Sequence, residues 1–324
     1  MDSKAIALSA GLAALAFVGG AEAKPVTAAM SAKVVSSDQF MKHDAAYPGG
    51  VIGHPDLTYS TVQGFRPTTL DLYTPAKGGP PKPLVIYVHG GGWSSGTARN
   101  AGAFADFPSV LAGLAARGYV VASLNYRLSG EARFPAASDD VDAAIRWLKA
   151  HAGDYGIDKS RVAIWGGSAG GQLAALAATD CSPASGGGES DCVQSAAIWY
   201  GVFDFAALPQ RPVAAGQPDA PNGYLGCPIA ECPRIVAAAS PIAHVDATTP
   251  PMLLIFGSED RTVPPAQSRA MAVKLRAAGV RTEVVEIPGA DHSFIGHTPA
   301  ETRAASLKAL QATFDFFDAT VGNR

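Results

Sequence analysis

A serine between glycines lies where an apolar strand pattern changes to a helical pattern. Residues 161–171 read RVAIWGGSAGG, and the helix-forming run QLAALAA follows. A serine on a strand-to-helix turn exposes its hydroxyl on a strained backbone, and small residues two positions before and after it let strand and helix approach. The pattern therefore predicts that Ser168 is a nucleophile and that the Ala169 amide, at a helix N-terminus, faces a developing oxyanion.

A second glycine motif follows an earlier apolar run. Residues 84–88, LVIYV, are typical of a buried parallel strand and lead into HGGGW at 89–93, the glycine loop. We expect the amides of Gly91 and Gly92 to converge with that of Ala169 on a tetrahedral intermediate, because a side chain would fill the space of the substrate carbonyl. The alternative is a flexible loop, since this chain has 35 glycines.

An acid and a base follow the serine in the order that such a site requires. The apolar strand pattern at 251–256 runs into Gly-Ser-Glu-Asp, and the pattern at 282–287 runs into Pro-Gly-Ala-Asp-His. We predict that Asp260 lies behind the imidazole of His292, fixing its tautomer, while His292 takes the proton of Ser168.

Rival residues exist for both of these roles. Glu259 adjoins the expected acid, and Asp204 follows the strand pattern at 197–200, so either carboxylate competes with it. His297 is the competing base. The sequence has no H-E-x-x-H pair and no clustered Cys/His spacing, so neither a metal nor another cofactor is expected.

With these residues assigned, the chain resembles a secreted serine esterase of the α/β-hydrolase superfamily, in the branch with an HGGGW oxyanion loop. That branch includes hormone-sensitive-lipase-like carboxylesterases and bacterial acetylxylan and feruloyl esterases. The resemblance runs from about residue 69 to the C-terminus, through NYRL at 125–128, FPAA at 134–137 and WYG at 199–201. The block 224–233, YLGCPIAECP, is similar to a segment of bacterial esterases that act on plant-wall polysaccharide esters.

The resemblance implies a fold and an activity. The expected fold is the α/β-hydrolase fold, a mostly parallel central sheet with helices on both faces and a lid-like insertion before the acid strand; the alternation of strand and helix patterns favours the same sheet. The expected activity is hydrolysis of a small-molecule or polysaccharide-linked ester, short-chain, acetyl or feruloyl, through an acyl-enzyme. Because other activities share the fold, an exopeptidase or amidase and an inactive binding protein stay as alternatives.

Aromatic side chains near these motifs are candidates for binding substrate. Trp93 ends the glycine loop and Tyr126 follows the strand pattern at 119–124, so both are candidates for contacting the acyl group. The alternative is core packing, the commoner role of aromatics beside buried strands.

Composition and patterning predict the domain organisation. A chain of 324 residues with 48% hydrophobic residues can bury one large core. We expect an N-terminal arm at 24–65 and a catalytic domain at 66–324, with a proline-rich, lid-like insertion at about 206–245. A net charge of −3 leaves no basic excess, so nucleic acid is not an expected partner.

The first residues have the pattern of an export signal. Lys4 precedes an apolar run at 5–18, and Ala-Glu-Ala at 21–23 gives the small-x-small pattern of a cleavage site. The apolar run is shorter than the roughly 20 residues that a membrane helix needs. Residues 1–23 are therefore expected to be a signal peptide, with a secreted or periplasmic protein and no stable membrane anchor.

The four cysteines fall into two local pairs in loop-like sequence. Three connectivities are possible, and we favour Cys181–Cys192 and Cys227–Cys232 because each closes a short loop in an oxidising compartment. A zinc site built from four thiolates is the alternative, although neither pair has C-x2-C spacing.

Overall fold

Nine strands form a single sheet in the computed structural model, which describes residues 43–76, 78–184, 186–209 and 219–322. The strands are β1 (Ala45–Tyr47), β2 (Val51–Ser60), β3 (Thr68–Thr74), β4 (Lys82–Val88), β5 (Val120–Asn125), β6 (Ile157–Gly167), β7 (Ser195–Trp199), β8 (Met252–Gly257) and β9 (Thr282–Ile287). Their order across the sheet is β1-β2-β3-β5-β4-β6-β7-β8-β9. Along this order, neighbours from β1 to β5 pair antiparallel, and neighbours in the remaining series β5-β4-β6-β7-β8-β9 pair parallel.

Helices cover both faces of this sheet. They are α1 (Phe107–Ala116), α2 (Ala136–Ala150), α3 (Ala152–Tyr155), α4 (Ala169–Thr179), α5 (Ala220–Leu225), α6 (Pro233–Ala239), α7 (Pro265–Ala277) and α8 (Pro299–Thr320). Alternate residues of β4 separate two cores: Leu84 and Ile86 pack with α2, α4 and α7, whereas Val85 and Tyr87 pack with α1 and α8. The predicted fold class, a mostly parallel sheet with helices on both faces, is confirmed.

The sheet order brings the predicted motifs to one edge. Strand β6 lies between β4 and β7, with Val88 paired to Gly166 and Gly167 to Trp199. The ends of β8 and β9 pair next to them through Gly257. Because the carboxyl ends of parallel strands meet at the same edge, the glycine loop, Ser168 and the two later strand ends lie together.

Segments outside the motifs complete the domain. The described part of the expected arm, from residue 43, supplies β1, at one edge of the sheet, and β2 beside it. The described part of the insertion, residues 206–209 and 219–245, holds α5, α6 and two short 3-10 turns. Residues 1–42, which include the expected signal peptide, and 210–218 of the insertion lie outside the described residues. In the part of the chain that is described, no helix is both long and apolar enough to cross a membrane.

Candidate active site

Ser168 lies on a strained turn between β6 and α4. Its backbone angles are φ 57° and ψ −123°, and its amide donates to the Trp199 carbonyl at 2.9 Å. A Cβ on Gly166 would lie 2.2 Å from the Gly170 carbonyl oxygen, and a Cβ on Gly170 would lie 2.1 Å from that of Val88. Glycine is therefore required on both sides of the serine, because any side chain there would collide with backbone.

The structure brings the predicted nucleophile, base and acid together. His292 Nε2 lies 2.9 Å from Ser168 Oγ, and His292 Nδ1 lies 2.8 Å from Asp260 Oδ2. The Asp260 side chain is 0% exposed and that of His292 is 18% exposed. This is the geometry in which a carboxylate fixes the imidazole tautomer and Nε2 accepts a proton from a serine hydroxyl.

Backbone amides hold the acid in this orientation. Asp260 Oδ1 accepts from the amides of Thr262 and Val263 at 2.9 and 2.8 Å. These bonds satisfy one carboxylate oxygen and leave Oδ2 to face the imidazole. The turn after β8 thus fixes the rotation of the side chain as well as its position.

A second aspartate braces the histidine loop from outside. Asp291 Oδ1 accepts from the amides of Arg261 and His292 at 2.9 and 2.7 Å, and its carboxylate also pairs with the Arg261 guanidinium. The Arg261 amide, helped by the His292 amide and the guanidinium, holds the pKa of Asp291 at about 2. An ionised carboxylate therefore ties the turn after β8 to the turn after β9, a role that sequence reasoning missed.

Tyr200 is a further residue of the site that sequence reasoning missed. It follows β7 with φ 37°, and its ring packs against the His292 imidazole with centroids 4.7 Å apart. Burial raises the pKa of the Tyr200 phenol, so the side chain is neutral. The WYG motif and its position at a strand end were the available signals.

The rival residues lie outside this hydrogen-bond chain. Glu259 pairs with His297 across 3.4 Å, and both side chains are more than half exposed. Asp204 Oδ1 accepts from the Ala206 amide within its own loop. The rival acid and base next to the predicted ones thus pair with each other at the surface.

The glycine loop lies against the serine turn. The Gly91 and Gly92 amides donate to no acceptor among the described residues, and both glycines line a cleft that also contains Ser168 and His292. Their backbone angles are in the left-handed region, with φ 119° and 58°. A Cβ on Gly91 would lie 2.2 Å from the Ser95 carbonyl oxygen. At Gly91 glycine is therefore also required by the loop's own turn.

Tyr126 supports the glycine loop from below and does not reach a substrate. It is 0% exposed, its ring stacks on His89 at a centroid distance of 4.3 Å, and its hydroxyl donates to the His89 carbonyl at 2.9 Å. His89 Nδ1 donates to the Gly90 carbonyl at 2.7 Å, and burial lowers the pKa of His89 to about 4. The expectation that Tyr126 contacts the acyl group is wrong, because the Tyr126 side chain is buried against His89 and has no surface that a substrate could reach.

Trp93, the other expected binding residue, lies at a cavity wall. Its Nε1 donates to Gln172 Oε1 at 2.8 Å, and its ring stacks on Tyr224 of α5 with centroids 4.6 Å apart. Gln172 in turn donates to the Ala239 carbonyl at 2.8 Å. The tryptophan therefore joins the glycine loop to α4 and to the insertion.

Two clefts meet at Ser168. The apolar cleft, about 270 Å³, is lined by Trp93, Val202, Leu208, Ala220, Ile229 and Val263 among others. The histidine cleft, about 440 Å³, is lined by Gly91, Gly92, Asn100, Gly102, Tyr200 and His292 among others. Ser168, Gly92 and Thr262 line both. Of these two clefts, only the histidine cleft is lined by His292.

The cysteines are paired as the short-loop connectivity predicts. Cys181 and Cys192 are bonded, as are Cys227 and Cys232, and Ile229 between the second pair lines the apolar cleft. In the described residues, three ligand atoms close enough to share a metal ion occur only around Cys181, Asp191 and Cys192. Because both of those cysteines are in a disulfide, this group offers no thiolate.

Comparison with known sequences places these features in a family. A family model described as BD-FAE matches residues 70–275. Esterase LipQ of Mycobacterium tuberculosis is 33% identical over 276 residues, 83% of this chain and 63% of the relative. Probable carboxylic ester hydrolase LipM of the same organism is 33% identical over 237 residues, 71% of this chain and 54% of the relative. The chain thus spans less than two thirds of either relative.

Solved structures share the fold. A truncated carbohydrate esterase from gut microbiota is 26% identical with a TM-score of 0.67, covering 82% of this chain and 95% of its own. The thermophilic esterase Est2 of Thermogutta terrifontis, with propionate bound, is 27% identical with a TM-score of 0.65, covering 82% and 93%. These likenesses confirm the resemblance stated from the motifs. The chain has the α/β-hydrolase fold and belongs to the BD-FAE family.

Proposed function

We propose that this chain is a carboxylic ester hydrolase that works through an acyl-enzyme. The observation that carries the proposal is the hydrogen-bond chain from Ser168 through His292 to Asp260. Ser168 and His292 line one cleft together with Gly91 and Gly92, whose amides donate to no acceptor among the described residues. A nucleophile, its base and oxyanion donors are the parts that acyl transfer needs. The names of the relatives, esterase and carboxylic ester hydrolase, support the same class of reaction.

The reaction follows from this geometry in two steps. Ser168 Oγ attacks the ester carbonyl carbon while His292 Nε2 takes its proton, and the amides of Gly91, Gly92 and Ala169 bind the oxyanion. The carbon–oxygen bond to the alcohol then breaks, and His292 gives its proton to the departing alcohol. Water attacks the acyl-enzyme with His292 again as base, the acid leaves, and the proton returns to Oγ.

The two clefts have different roles in this mechanism. His292 must reach the alcohol oxygen to protonate it, so the alcohol part occupies the histidine cleft. The acyl group then occupies the apolar cleft on the other side of Ser168, against Trp93 and Val202. An apolar cleft with few polar groups favours an uncharged acyl chain.

The proposed substrates are short-chain or carbohydrate-linked esters, acetyl or feruloyl. The small volume of the apolar cleft, about 270 Å³, favours short acyl groups over long fatty chains. Two structural relatives support this class by name, a carbohydrate esterase and an esterase with propionate bound.

We further propose that the protein is exported, with cleavage after Ala23 leaving an arm at 24–65 and a catalytic domain at 66–324. The two disulfides among the described residues support an oxidising compartment. Mass spectrometry of the protein from the periplasm or medium tests the cleavage site. An intact N-terminus there would contradict it.

The experiment that tests the activity compares wild type with Ser168→Ala. We expect wild type to hydrolyse p-nitrophenyl acetate, Ser168→Ala to lose more than about a thousandfold in turnover with unchanged thermal unfolding, and an organophosphonate to label Ser168 alone. Amino-acid anilides, acetylated xylan and methyl ferulate in the same assay separate amidase from esterase. Greater retention of activity in the variant would exclude Ser168 as the nucleophile.

A further inference from the structure

The Tyr200 ring contacts both the turn that carries the nucleophile and the base. Its centroid lies 4.7 Å from that of the His292 imidazole. A Cβ on Gly167 would lie 3.0 Å from Tyr200 Cε2 and 3.3 Å from Cζ, so the same ring also covers the residue before Ser168. Tyr200 is 4% exposed, and it lines the histidine cleft. One buried side chain therefore lies against both partners of the proton transfer.

The backbone of Tyr200 is fixed at the end of β7. Its amide donates to the Ile255 carbonyl of β8 at 2.7 Å, and the preceding carbonyl, that of Trp199, accepts from the Ser168 amide at 2.9 Å. Tyr200 has φ 37°, in the left-handed region that a residue with a side chain rarely adopts. Such a conformation persists only where the surrounding structure holds it. Here it places the ring beside His292.

Aromatic packing keeps the Tyr200 ring in this position. The Phe294 ring packs edge-to-face against it, with centroids 4.8 Å apart and an angle of 71° between the planes. Phe294 is 1% exposed and also contacts the Trp199 ring, at 5.2 Å. The Tyr200 ring is therefore held by contacts that do not involve His292, so it can serve as a fixed support for the imidazole.

Two hydrogen bonds and this ring contact hold the His292 imidazole. Nδ1 lies 2.8 Å from Asp260 Oδ2, and Nε2 lies 2.9 Å from Ser168 Oγ. The imidazole is 18% exposed and faces the histidine cleft. A hydrogen bond at Nδ1 alone fixes one ring atom and permits the ring to turn about that bond. The bond to Oγ and the contact with Tyr200 both oppose this rotation.

The hydrogen bond to Ser168 is lost once the serine is acylated. An esterified Oγ carries no proton, so it cannot donate to the lone pair of His292 Nε2. At this stage Nε2 must take a proton from water that attacks the acyl carbon, which requires the imidazole in the same position as before. Asp260 and the Tyr200 ring are the contacts that remain.

We propose that Tyr200 is a positioning residue for deacylation, because its ring holds His292 in place while Ser168 is acylated. This inference rests on the proposed acyl-enzyme mechanism. In deacylation the water oxygen bonds to the acyl carbon as Nε2 takes a water proton, the bond from that carbon to Oγ breaks, and Nε2 gives the proton to Oγ. Acylation depends less on the ring, because the Ser168 hydroxyl itself then holds Nε2.

Tyr200→Leu tests the proposal, because it removes the ring and keeps an apolar side chain. For p-nitrophenyl acetate, kcat includes deacylation, whereas kcat/KM reports the steps up to acylation. We expect kcat and KM both to fall about tenfold and kcat/KM to change less than about twofold. An initial burst of about one equivalent of p-nitrophenol per active site should show the acyl-enzyme accumulating.

Two variants control for loss of the hydroxyl and for loss of a buried ring. Tyr200→Phe keeps the ring and should have wild-type kcat. Phe316, 2% exposed on α8, belongs to the same core and lines neither the apolar nor the histidine cleft. Phe316→Leu should lower thermal stability with kcat and KM unchanged. If Tyr200→Leu unfolds at the assay temperature, Tyr200→Met, with a flexible side chain that fills the space, replaces it.

An NMR measurement tests the positioning without turnover. Ser168→Ala removes the hydroxyl partner of His292 Nε2, as acylation does, and needs no substrate. In that background the resonance of the His292 Nδ1 proton, hydrogen-bonded to Asp260, should stay sharp. Adding Tyr200→Leu should broaden it, because the imidazole then moves and its proton exchanges with water. Adding Tyr200→Phe or Phe316→Leu should leave it sharp.

Three results would overturn the proposal. In the first, Tyr200→Leu leaves kcat unchanged or lowers kcat/KM as much as kcat. In the second, Tyr200→Phe is as impaired as Tyr200→Leu, which would assign the effect to the phenol hydroxyl. In the third, the His292 resonance stays sharp in Ser168→Ala with Tyr200→Leu, so that Asp260 alone holds the imidazole. If wild type hydrolyses no ester, the proposed function fails, and the resonance still decides whether Tyr200 positions His292.

Discussion

Replacing Asp260 with asparagine should invert the tautomer of His292. The amides of Thr262 and Val263 both donate to one oxygen of the Asp260 side chain. Asparagine has one acceptor oxygen, so these two donors hold that oxygen in place and turn the NH₂ group towards the imidazole. His292 Nδ1 must then accept a hydrogen bond, and Nε2 carries the proton and can no longer take one from Ser168.

The magnitude follows from the loss of the base. A correctly placed imidazole in the wrong tautomer lowers kcat about 10⁴-fold in a serine protease with the same arrangement, equivalent to about 5.5 kcal/mol in the barrier. The substitution keeps the size of the side chain, so we expect the thermal unfolding midpoint to change far less than the rate. Steady-state hydrolysis of p-nitrophenyl acetate and circular dichroism melts measure the two quantities.

Two matched carboxylate variants control for a general effect of charge. Glu259→Gln and Asp204→Asn each remove an acid near the same strand ends, and neither side chain contacts His292. We expect both to retain wild-type kcat. Asp260 is not the acid behind His292 if Asp260→Asn keeps more than about a hundredth of the wild-type kcat, or if Asp204→Asn alone abolishes turnover in a folded protein.

Three further changes test the structure around the site. Gly170→Ala should lower the free energy of unfolding by about 1–3 kcal/mol or more, because its Cβ would lie 2.1 Å from a carbonyl oxygen of β4. Gly113→Ala is the control, because a Cβ there meets nothing within 4 Å. Thermal melts compare the two variants. Burial lowers the pKa of His89 from 6.5 to about 4, so below pH 6.5 the unfolded state binds a proton that the folded state does not. Stability is therefore lost as pH falls through this window, by about 2.5 kcal/mol at about pH 4.5, and urea unfolding of His89→Asn should lack this component. Cys227→Ser with Cys232→Ser should change preference among acyl groups more than acetate hydrolysis, since the loop between them lines the apolar cleft; an unchanged acyl profile would contradict that role.

The sequence predicted residues that the structure brings together because the signals for them are local. The glycines around Ser168 follow from backbone contacts within one strand-turn-helix unit, and Asp260 and His292 each follow a recognisable apolar strand. Parallel strands end at one edge of a sheet, so their order along the chain was enough to predict which side chains meet there. None of these inferences needed the packing of distant residues.

The features that escaped prediction depend on such packing. Strand β2 was not recognised because its alternation is interrupted near Pro55, where the register with β3 shifts between His54 and Leu57. Tyr126 and Trp93 are both aromatic residues beside a motif, yet Tyr126 is buried beneath His89 whereas Trp93 lines the apolar cleft. Nothing in their immediate sequence separates these outcomes, because the neighbours that bury them come from other strands and helices.

Buried contacts tie the described part of the insertion to α4 and to the glycine loop. Gln172 on α4 is 0% exposed, and its amide is satisfied by the Trp93 indole on one side and the Ala239 carbonyl of the insertion on the other. Moving the insertion away would break the second bond and leave a buried amide unpaired, at a cost of about 1–3 kcal/mol, and would also separate Tyr224 from the face of Trp93. Gln172 therefore couples the position of the glycine loop to the shape of the apolar cleft. We expect substitutions in the insertion to change the position of the glycine loop through their effect on Trp93.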